Sequence, residues 1–304
     1  MSFHIKYRPT SLNEIRGNSD TISILEGMLS NIETCSHSFL FYGLKGCGKT
    51  TLARIVANIV GSNGNDCREI NAGDLRGIDN AREIIQQAQL KPLEGKSRCW
   101  IIDEAHRLTG DAMSALLKIL EEPPRHVYFI LCTTDPQKIL STVKDRCQQF
   151  QLKPLSDAQM YGLLRKIVKE ENETLEREVF DQIIQDSLGH PRNALQILEQ
   201  VLKVNPDRRI EIAKQAAIEQ SQIIELCRAL IKGSNWNAVK KILNGLKDQQ
   251  AETIRRSLLG YAQAILLKEE NDRAALMIEQ LWDPLYDTGW PGLVYAAYSI
   301  TKNK

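Results

Sequence analysis

The sequence predicts an α/β domain built on a parallel sheet, followed by two helical domains. Three observations lead there. Up to about residue 150, short apolar runs alternate with amphipathic segments. The first run leads straight into a glycine-rich loop that opens a helical pattern. After Pro154 the strand signal disappears.

The apolar runs Ser38–Tyr42, Cys99–Ile102 and Val127–Cys132 are short enough to be strands buried on both faces. Between them, Lys49–Val60 follows the glycine loop as a helix. Ile78–Ala88 repeats Ile78, Ala81, Ile84, Ile85 and Ala88 at helical spacing. Ala112–Glu122 puts Met113, Leu116, Leu117 and Leu120 on one face, with Thr109 near its start and Pro123 and Pro124 stopping it. Ser156 and Gln159 form a capping box that opens a helix running to about Glu170. Helical stretches continue over Leu175–Ser187 and Asn193–Val204, and Asn205, Pro206 and Asp207 mark a loop. The rest reads as amphipathic helices broken at Gly233–Asn235, around Gln249, near Asn271 and at Trp290–Gly292. The expected domains are residues 1–153, 154–207 and 208–304.

Composition narrows the function classes. Lys and Arg total 39 against 38 Asp and Glu, so any nucleic-acid binding rests on local placement of charge. No apolar run reaches the roughly 18 residues that span a bilayer, and no signal-peptide pattern opens the chain. No membrane partner is expected, and a reducing compartment fits best. The 7 cysteines form no C-x-x-C pair, which indicates neither a zinc knuckle nor a disulfide framework.

Gly43-Leu44-Lys45-Gly46-Cys47-Gly48-Lys49-Thr50 matches G-x-x-x-x-G-K-[ST]. Glycines let successive backbone N–H groups turn inward around phosphate oxygens, and the helix that follows adds the positive end of its dipole. Gly43, Gly46, Cys47, Gly48, Lys49, Thr50 and Thr51 are therefore the expected nucleotide-binding residues. Lys49 reaches the β- and γ-phosphates, and Thr50 ligates Mg²⁺. Asp103 and Glu104 end the second apolar run, where open α/β sheets bind ligands. Asp103 is placed to hold Mg²⁺ and Glu104 to polarise an attacking water, a pairing that favours hydrolysis over transfer to another acceptor.

Lys6-Tyr7-Arg8-Pro9, with Leu12 and Glu14–Asn18 after it, resembles the adenine-contacting opening of AAA+ clamp-loader ATPase subunits. Asp103–His106, Ala115–Pro124 and Thr133–Lys138 resemble bacterial DNA polymerase III gamma/tau, whereas Glu69–Asp79 is closer to the replication factor C small subunits. The likeness is close to about residue 205; beyond it, only length and helical character agree. It implies an α/β P-loop domain, a helical lid and a helical collar, with ATP and Mg²⁺ as cofactors. It implies that Tyr7 and Arg8 border the adenine, that Thr134 (Thr133 as the alternative) is a polar sensor, that Arg192 is a second sensor, and that Arg146 is an arginine finger acting on a neighbouring subunit's ATP. Taken alone, Arg146 and Arg192 read as surface arginines.

The family further implies a homo- or hetero-oligomeric, pentameric ring or spiral of loader subunits around primer–template DNA, with a sliding clamp beneath. Two helices, beginning near Gly77 and Thr109, would line the inside, and Arg76, Arg82 and Arg107 are the candidate phosphate contacts. Leu90–Leu93 is the candidate clamp contact. The expected activity is DNA-stimulated ATP hydrolysis: binding of ATP closes the assembly on clamp and DNA, and hydrolysis releases both. The rivals are another AAA+ DNA motor, such as a branch-migration motor, and a non-hydrolysing scaffold subunit. The chain departs from the family pattern in three places. Asp145 stands where serine is usual, with a carboxylate able to pair with Arg146. His190 replaces an acid in the second-sensor motif. Residues 61–66 stand where gamma/tau chains carry a four-cysteine zinc module, so metal is not expected there. The mixed resemblance suits a bacterial virus or an unusual bacterium, and it implies the cytoplasm of a bacterial cell, phage-infected in the first case, as the location.

Overall fold

The computed structural model describes residues 2–73, 78–220, 222–247, 249–267 and 269–302, the side chains of 215–220 excepted. The chain divides into two compact units, Phe3–Gln159 and Met160–Lys304.

In the first unit the described helices are α1 (Phe3–Lys6), α2 (Ser19–Leu29), α3 (Lys49–Ile59), α4 (Ile78–Ala88), α5 (Gly110–Glu121) and α6 (Ser141–Lys144). Among the described residues, one parallel sheet contains β1 (Ser38–Gly43), β2 (Cys67–Asn71), β3 (Arg98–Asp103), β4 (Val127–Thr133) and β5 (Gln148–Leu152) in the order β2-β3-β4-β1-β5. The three expected apolar runs are the three central strands. β2 and β5, which the apolar-run criterion missed, are the edges. Only one side of an edge strand pairs, so polar residues are tolerated there. β5 buries Phe150 and Leu152 and exposes Gln148, Gln149 and Gln151, an alternation already present in its sequence.

The pleat sorts the central strands into two layers. Phe39, Phe41, Cys99, Ile101, Tyr128, Ile130 and Cys132 join a core with Leu25 and Leu29 of α2 and Leu52 and Val56 of α3. Leu40, Trp100, Ile102, Phe129 and Leu131 join the other core, with Ala81 and Ile84 of α4 and Met113, Leu116 and Leu120 of α5. Thr109 caps α5, its hydroxyl accepting from the Ala112 N–H at 3.2 Å. The expected capping box forms: Ser156 Oγ accepts from Gln159 N at 3.3 Å, and Gln159 Oε1 accepts from Ser156 N at 3.0 Å.

Asp66, just before β2, is a buried carboxylate that fixes the approach to β3. It accepts from the backbone N–H groups of Leu93, Glu94 and Gly95 at 2.7–2.8 Å and faces Arg98 Nε at 3.4 Å. Burial alone would raise its pKa, but the three N–H donors and Arg98 together hold the carboxyl below its usual range.

From α7 onward the chain is helical: α7 (Asp157–Glu170), α8 (Arg177–Ser187), α9 (Pro191–Val201), α10 (Arg209–Gln220), α11 (Gln222–Lys232), α12 (Trp236–Gly245), α13 (Ala251–Leu266), α14 (Asp272–Gln280) and α15 (Gly289–Lys302). Asn235 and Asn271 cap α12 and α14, their side chains accepting from Ala238 N and Ala274 N at 3.0 Å. The break expected at Trp290–Gly292 lies earlier, at residues 281–288, and Trp290 and Pro291 form the first turn of α15. Proline is tolerated there because first-turn N–H groups have no helical acceptor. Among the described residues no helix is long and apolar enough to cross a membrane.

Glu252 knots α13 to the loop after α14. It accepts from Arg255 at 2.8 Å, Arg256 at 3.0 Å and Leu285 N at 2.9 Å, while Arg255 donates onward to Leu281 O at 2.7 Å. Burial pushes the Glu252 carboxyl up, but Arg255, the Leu285 N–H and Arg256 outweigh that and bring it to about 2.

Two stability predictions follow from these carboxylates. Asp66→Ala leaves three N–H groups without their acceptor and the buried Arg98 charge unpaired. The expected loss is about 3–5 kcal/mol in urea unfolding, and a loss within surface-substitution scatter of ~0.5 kcal/mol refutes the clamp. For Glu252 the folded pKa lies below the unfolded one. Its stabilisation is therefore present above about pH 4.3 and drains away as pH falls towards about 2. Glu252→Gln is expected to be less stable than the parent at neutral pH, with the gap narrowing on acidification; a gap independent of pH contradicts the assignment.

Candidate nucleotide site

The site sits where β1, β3 and β4 end. Phe41 pairs with Cys132, Tyr42 with Thr133, and Ile102 with Leu131, so the three carboxyl ends finish side by side. The loop leaving β1 turns on glycines at φ 149 (Gly43), 83 (Gly46) and 95 (Gly48). At Gly43 a Cβ would come within 2.2 Å of Leu152 O, so the first glycine is also demanded by the neighbouring strand. Around Gly48 a Cβ would meet nothing within 4 Å, leaving open space above the loop just where α3 begins.

Lys49 is buried, its ammonium donating to Gly43 O at 3.0 Å and Leu44 O at 2.9 Å. Burial lowers its pKa, while Cys132, Cys47, Glu104 and Asp103 counter that. Cys47 packs into the core beneath the loop, and burial pushes its thiol up to about 11, so it remains a neutral packing group. Thr50 Oγ1 donates to Asp103 Oδ2 at 2.8 Å, and Asp103 Oδ1 accepts from Glu104 N at 2.9 Å. Thr51 follows in the first turn of α3.

Glu104 has φ 52, a left-handed conformation that is strained for a residue with a Cβ and characteristic of functional turns. Its Oε2 lies 3.4 Å from Thr134 Oγ1. Thr133 is fully buried; its hydroxyl lies 3.0 Å from His106 Nδ1 and accepts from Asp135 N at 3.0 Å. Of the two threonines, Thr134 is thus the one whose hydroxyl faces Glu104. His106 was not singled out from the sequence, although it follows the acid pair by two residues. Burial lowers its pKa, and Glu104 and Asp135 oppose that shift.

The remaining expected residues are more dispersed. Tyr7 packs edge-on against Phe3 at 5.5 Å, with Lys6 Nζ over its ring at 5.1 Å; Tyr7 and Arg8 are both half-buried. Arg146 does not pair with Asp145. Its guanidinium is taken by Glu121, at 2.7 and 2.9 Å, and by Thr142 O at 2.9 Å. Asp145 closes the short α6 as its C-cap, so the aspartate leaves the finger candidate to the acid at the end of α5. Arg192 is exposed in the first turn of α9, in the second unit. Arg76 lies outside the described residues. Arg82 is exposed and bound to Asp79 at 3.2 Å, and Arg107 is exposed beside Gly73. Leu93 is exposed on the turn held by Asp66, and Leu90 is exposed where α4 closes.

The residues fit a nucleotide with a divalent cation. The open, positive-φ glycine loop admits phosphate oxygens against backbone N–H groups. The Thr50 hydroxyl and Asp103 carboxylate are hard oxygen donors 2.8 Å apart, the ligand chemistry that suits Mg²⁺.

Comparison with known proteins accords with this geometry. A family profile described as DNA polymerase III, delta subunit, matches residues 63–156. The DNA polymerase III subunit gamma of Buchnera aphidicola subsp. Baizongia pistaciae is 31% identical over 266 residues, covering 79% of this chain and 72% of that protein. The DNA polymerase III subunit tau of Escherichia coli is 30% identical over 312 residues, 91% of this chain, but the chain spans only 48% of its length. These relatives are bacterial, and neither supports a viral source. Among solved structures, the Thermotoga maritima RuvB Holliday junction branch migration motor aligns with a TM-score of 0.61 at 20% identity, over 78% of this chain and 85% of that one. That likeness is one of fold. An alignment taking in 91% of the chain runs through both units, and the chain belongs to the DNA polymerase III gamma/tau family of AAA+ clamp-loader ATPases.

Proposed function

We propose that the chain is the ATP-hydrolysing motor subunit of a sliding-clamp loader. The observation that carries hydrolysis is the Thr50–Asp103 contact of 2.8 Å at the foot of the glycine loop, with Glu104 turned beside it on a left-handed backbone. Backbone N–H groups of residues 43–50 and the Lys49 ammonium hold the β- and γ-phosphates. Thr50 and Asp103 would hold Mg²⁺, which would supply neutralisation of phosphate charge. Glu104 takes the proton of a water whose oxygen attacks the γ-phosphorus as the bond to the bridging oxygen breaks. Thr134 orients the base, and Tyr7 and Arg8 border the adenine.

Assembly belongs to the same proposal. Loader subunits associate in a pentameric ring or spiral, with Arg146 from one subunit completing the site of the next. Arg146 leaves Glu121 at modest cost, because the pair opens to water on the Glu121 side and pairs near the surface contribute about 1 kcal/mol or less. Of the candidate phosphate contacts, Arg82 and Arg107 lie among the described residues; such contacts read no base and suit a machine acting at any primer end. Leu90 and Leu93, both exposed between α4 and β3, meet the clamp. The branch-migration alternative is supported only by likeness of fold, and the relatives named by sequence are polymerase III subunits.

The test of the nucleotide site is a pair of variants assayed with clamp and primed DNA. Lys49→Ala is expected to abolish ATP binding. Glu104→Gln keeps binding but hydrolyses roughly 10²-fold or more slowly, the scale of a lost general base. Wild-type turnover in Glu104→Gln removes Glu104 from the mechanism. The shared site is tested by complementation: chains carrying Glu104→Gln or Arg146→Ala, each inactive alone, recover hydrolysis when co-assembled, because some interfaces then pair an intact Glu104 with an intact Arg146. A finger supplied in trans contributes roughly 10³–10⁵-fold in related chemistry, so recovery is easily read. Mixed assemblies that stay inactive rule out a trans-acting Arg146.

A further inference from the structure

We propose that His106 is a positioning residue for the catalytic base, holding one carboxylate oxygen of Glu104 through a chain that starts at the end of β4. The inference rests on the reading of Glu104 as the base. Asp135 N donates to Thr133 Oγ1 at 3.0 Å, which leaves the hydroxyl its own proton and a second lone pair, and the tautomer that turns an N–H towards Glu104 is the one in which this proton goes to the ring. The partner within reach is His106 Nδ1, at 3.0 Å. A ring that accepts at Nδ1 carries its proton on Nε2, and Nε2 lies 3.4 Å from Glu104 Oε2. Thr134 Oγ1 approaches the same oxygen, also at 3.4 Å. Two donors carried by, or bonded to, the end of β4 thus converge on Oε2. Oε1 is left to receive the proton of the attacking water.

The local fold explains why this ring can do the task. After Glu104 the chain enters a single 3₁₀ turn, Ala105–Arg107, whose Ala105 is fully buried in the core under α5. That anchor sets His106 across from Thr133, where its side chain is only 11% exposed. The ring lies between a buried hydroxyl, 3.0 Å from Nδ1, and the base, 3.4 Å from Nε2. Without it, Glu104 would keep only the 3.4 Å approach of Thr134 against rotation of its carboxylate. Positioning of this kind typically changes activity by about 10–100-fold.

The experiment measures kcat, KM and nucleotide Kd for His106→Ala, His106→Gln, Thr133→Val and the Glu104→Gln/His106→Ala double variant, in the assembled complex with clamp and primed DNA. His106→Ala is expected to lower kcat by about 10–100-fold with KM and Kd unchanged. His106→Gln, which keeps an N–H towards Glu104, recovers part of the loss. Thr133→Val, which preserves shape but removes the hydroxyl, lowers kcat in the same way and keeps the inference testable even where His106→Ala fails to fold. In the Glu104→Gln background, His106→Ala has no further effect, because the ring acts only through that carboxylate. A wild-type kcat in both His106→Ala and Thr133→Val overturns the proposal. So does a further multiplicative loss in the double variant, or a shift confined to KM and Kd. If Glu104→Gln itself turns over normally, the reading of the base fails first, and the two failures are thereby told apart.

Discussion

Parallel pairing of β1 with β4, and of β4 with β3, is the constraint on which the remaining architecture rests. It brings three carboxyl ends into one line, and each end delivers a different kind of group: a glycine loop from β1, a pair of acids from β3 and hydroxyls from β4. None of these segments is close to the others in sequence. The Thr50–Asp103 hydrogen bond, between residues 53 positions apart, is the local signature of that alignment. Parallel strands require crossovers, and the helices that make them, α3, α4 and α5, also cover the sheet, so one topology supplies both the site and its core.

The site is built by departing from the rules that the surrounding core obeys. Lys49 is a buried cation, Glu104 holds a backbone conformation that costs of order 1 kcal/mol or more for a residue with a side chain, and Gly43 gives up a Cβ because β5 passes too close. Each departure is held by regular structure next to it. The phosphate loop is gripped between β1 and α3, and the turn after β3 by buried Ala105. Rigid support on both sides lets groups of opposite charge face a common space without collapsing onto one another.

Away from the nucleotide, carboxylates organise the irregular parts of both units. Asp66 gathers three N–H groups from the turn before β3, and Glu252 gathers two arginines and a backbone N–H at the end of the helical array. Both lie at junctions where no helix or strand can satisfy the main chain. Asp66 also displays Leu93 on a fixed turn, a way of presenting an apolar side chain to water without leaving the backbone loose.

The sequence by itself determined the central strands, α3 to α5 and the phosphate-binding chemistry. Those signals are local: an apolar run, a 3.6-residue period, a capping threonine and glycines at set spacing each act through neighbours along the chain. The edges β2 and β5 were harder to see because one-sided pairing relaxes the need for apolar residues, although the Phe150–Leu152 alternation was legible in retrospect. The start of α15 was misread because proline breaks a helix interior but suits a first turn, and only the position of the turn distinguishes the two. Tertiary structure alone decided that Arg146 meets Glu121 and not its neighbour Asp145, that Thr134 and not Thr133 faces Glu104, and that His106 joins the acid to β4. In each case the choice depends on which side chains a sheet or helix brings together across tens of residues, and directional hydrogen bonds at about 3 Å leave no trace in the order of amino acids.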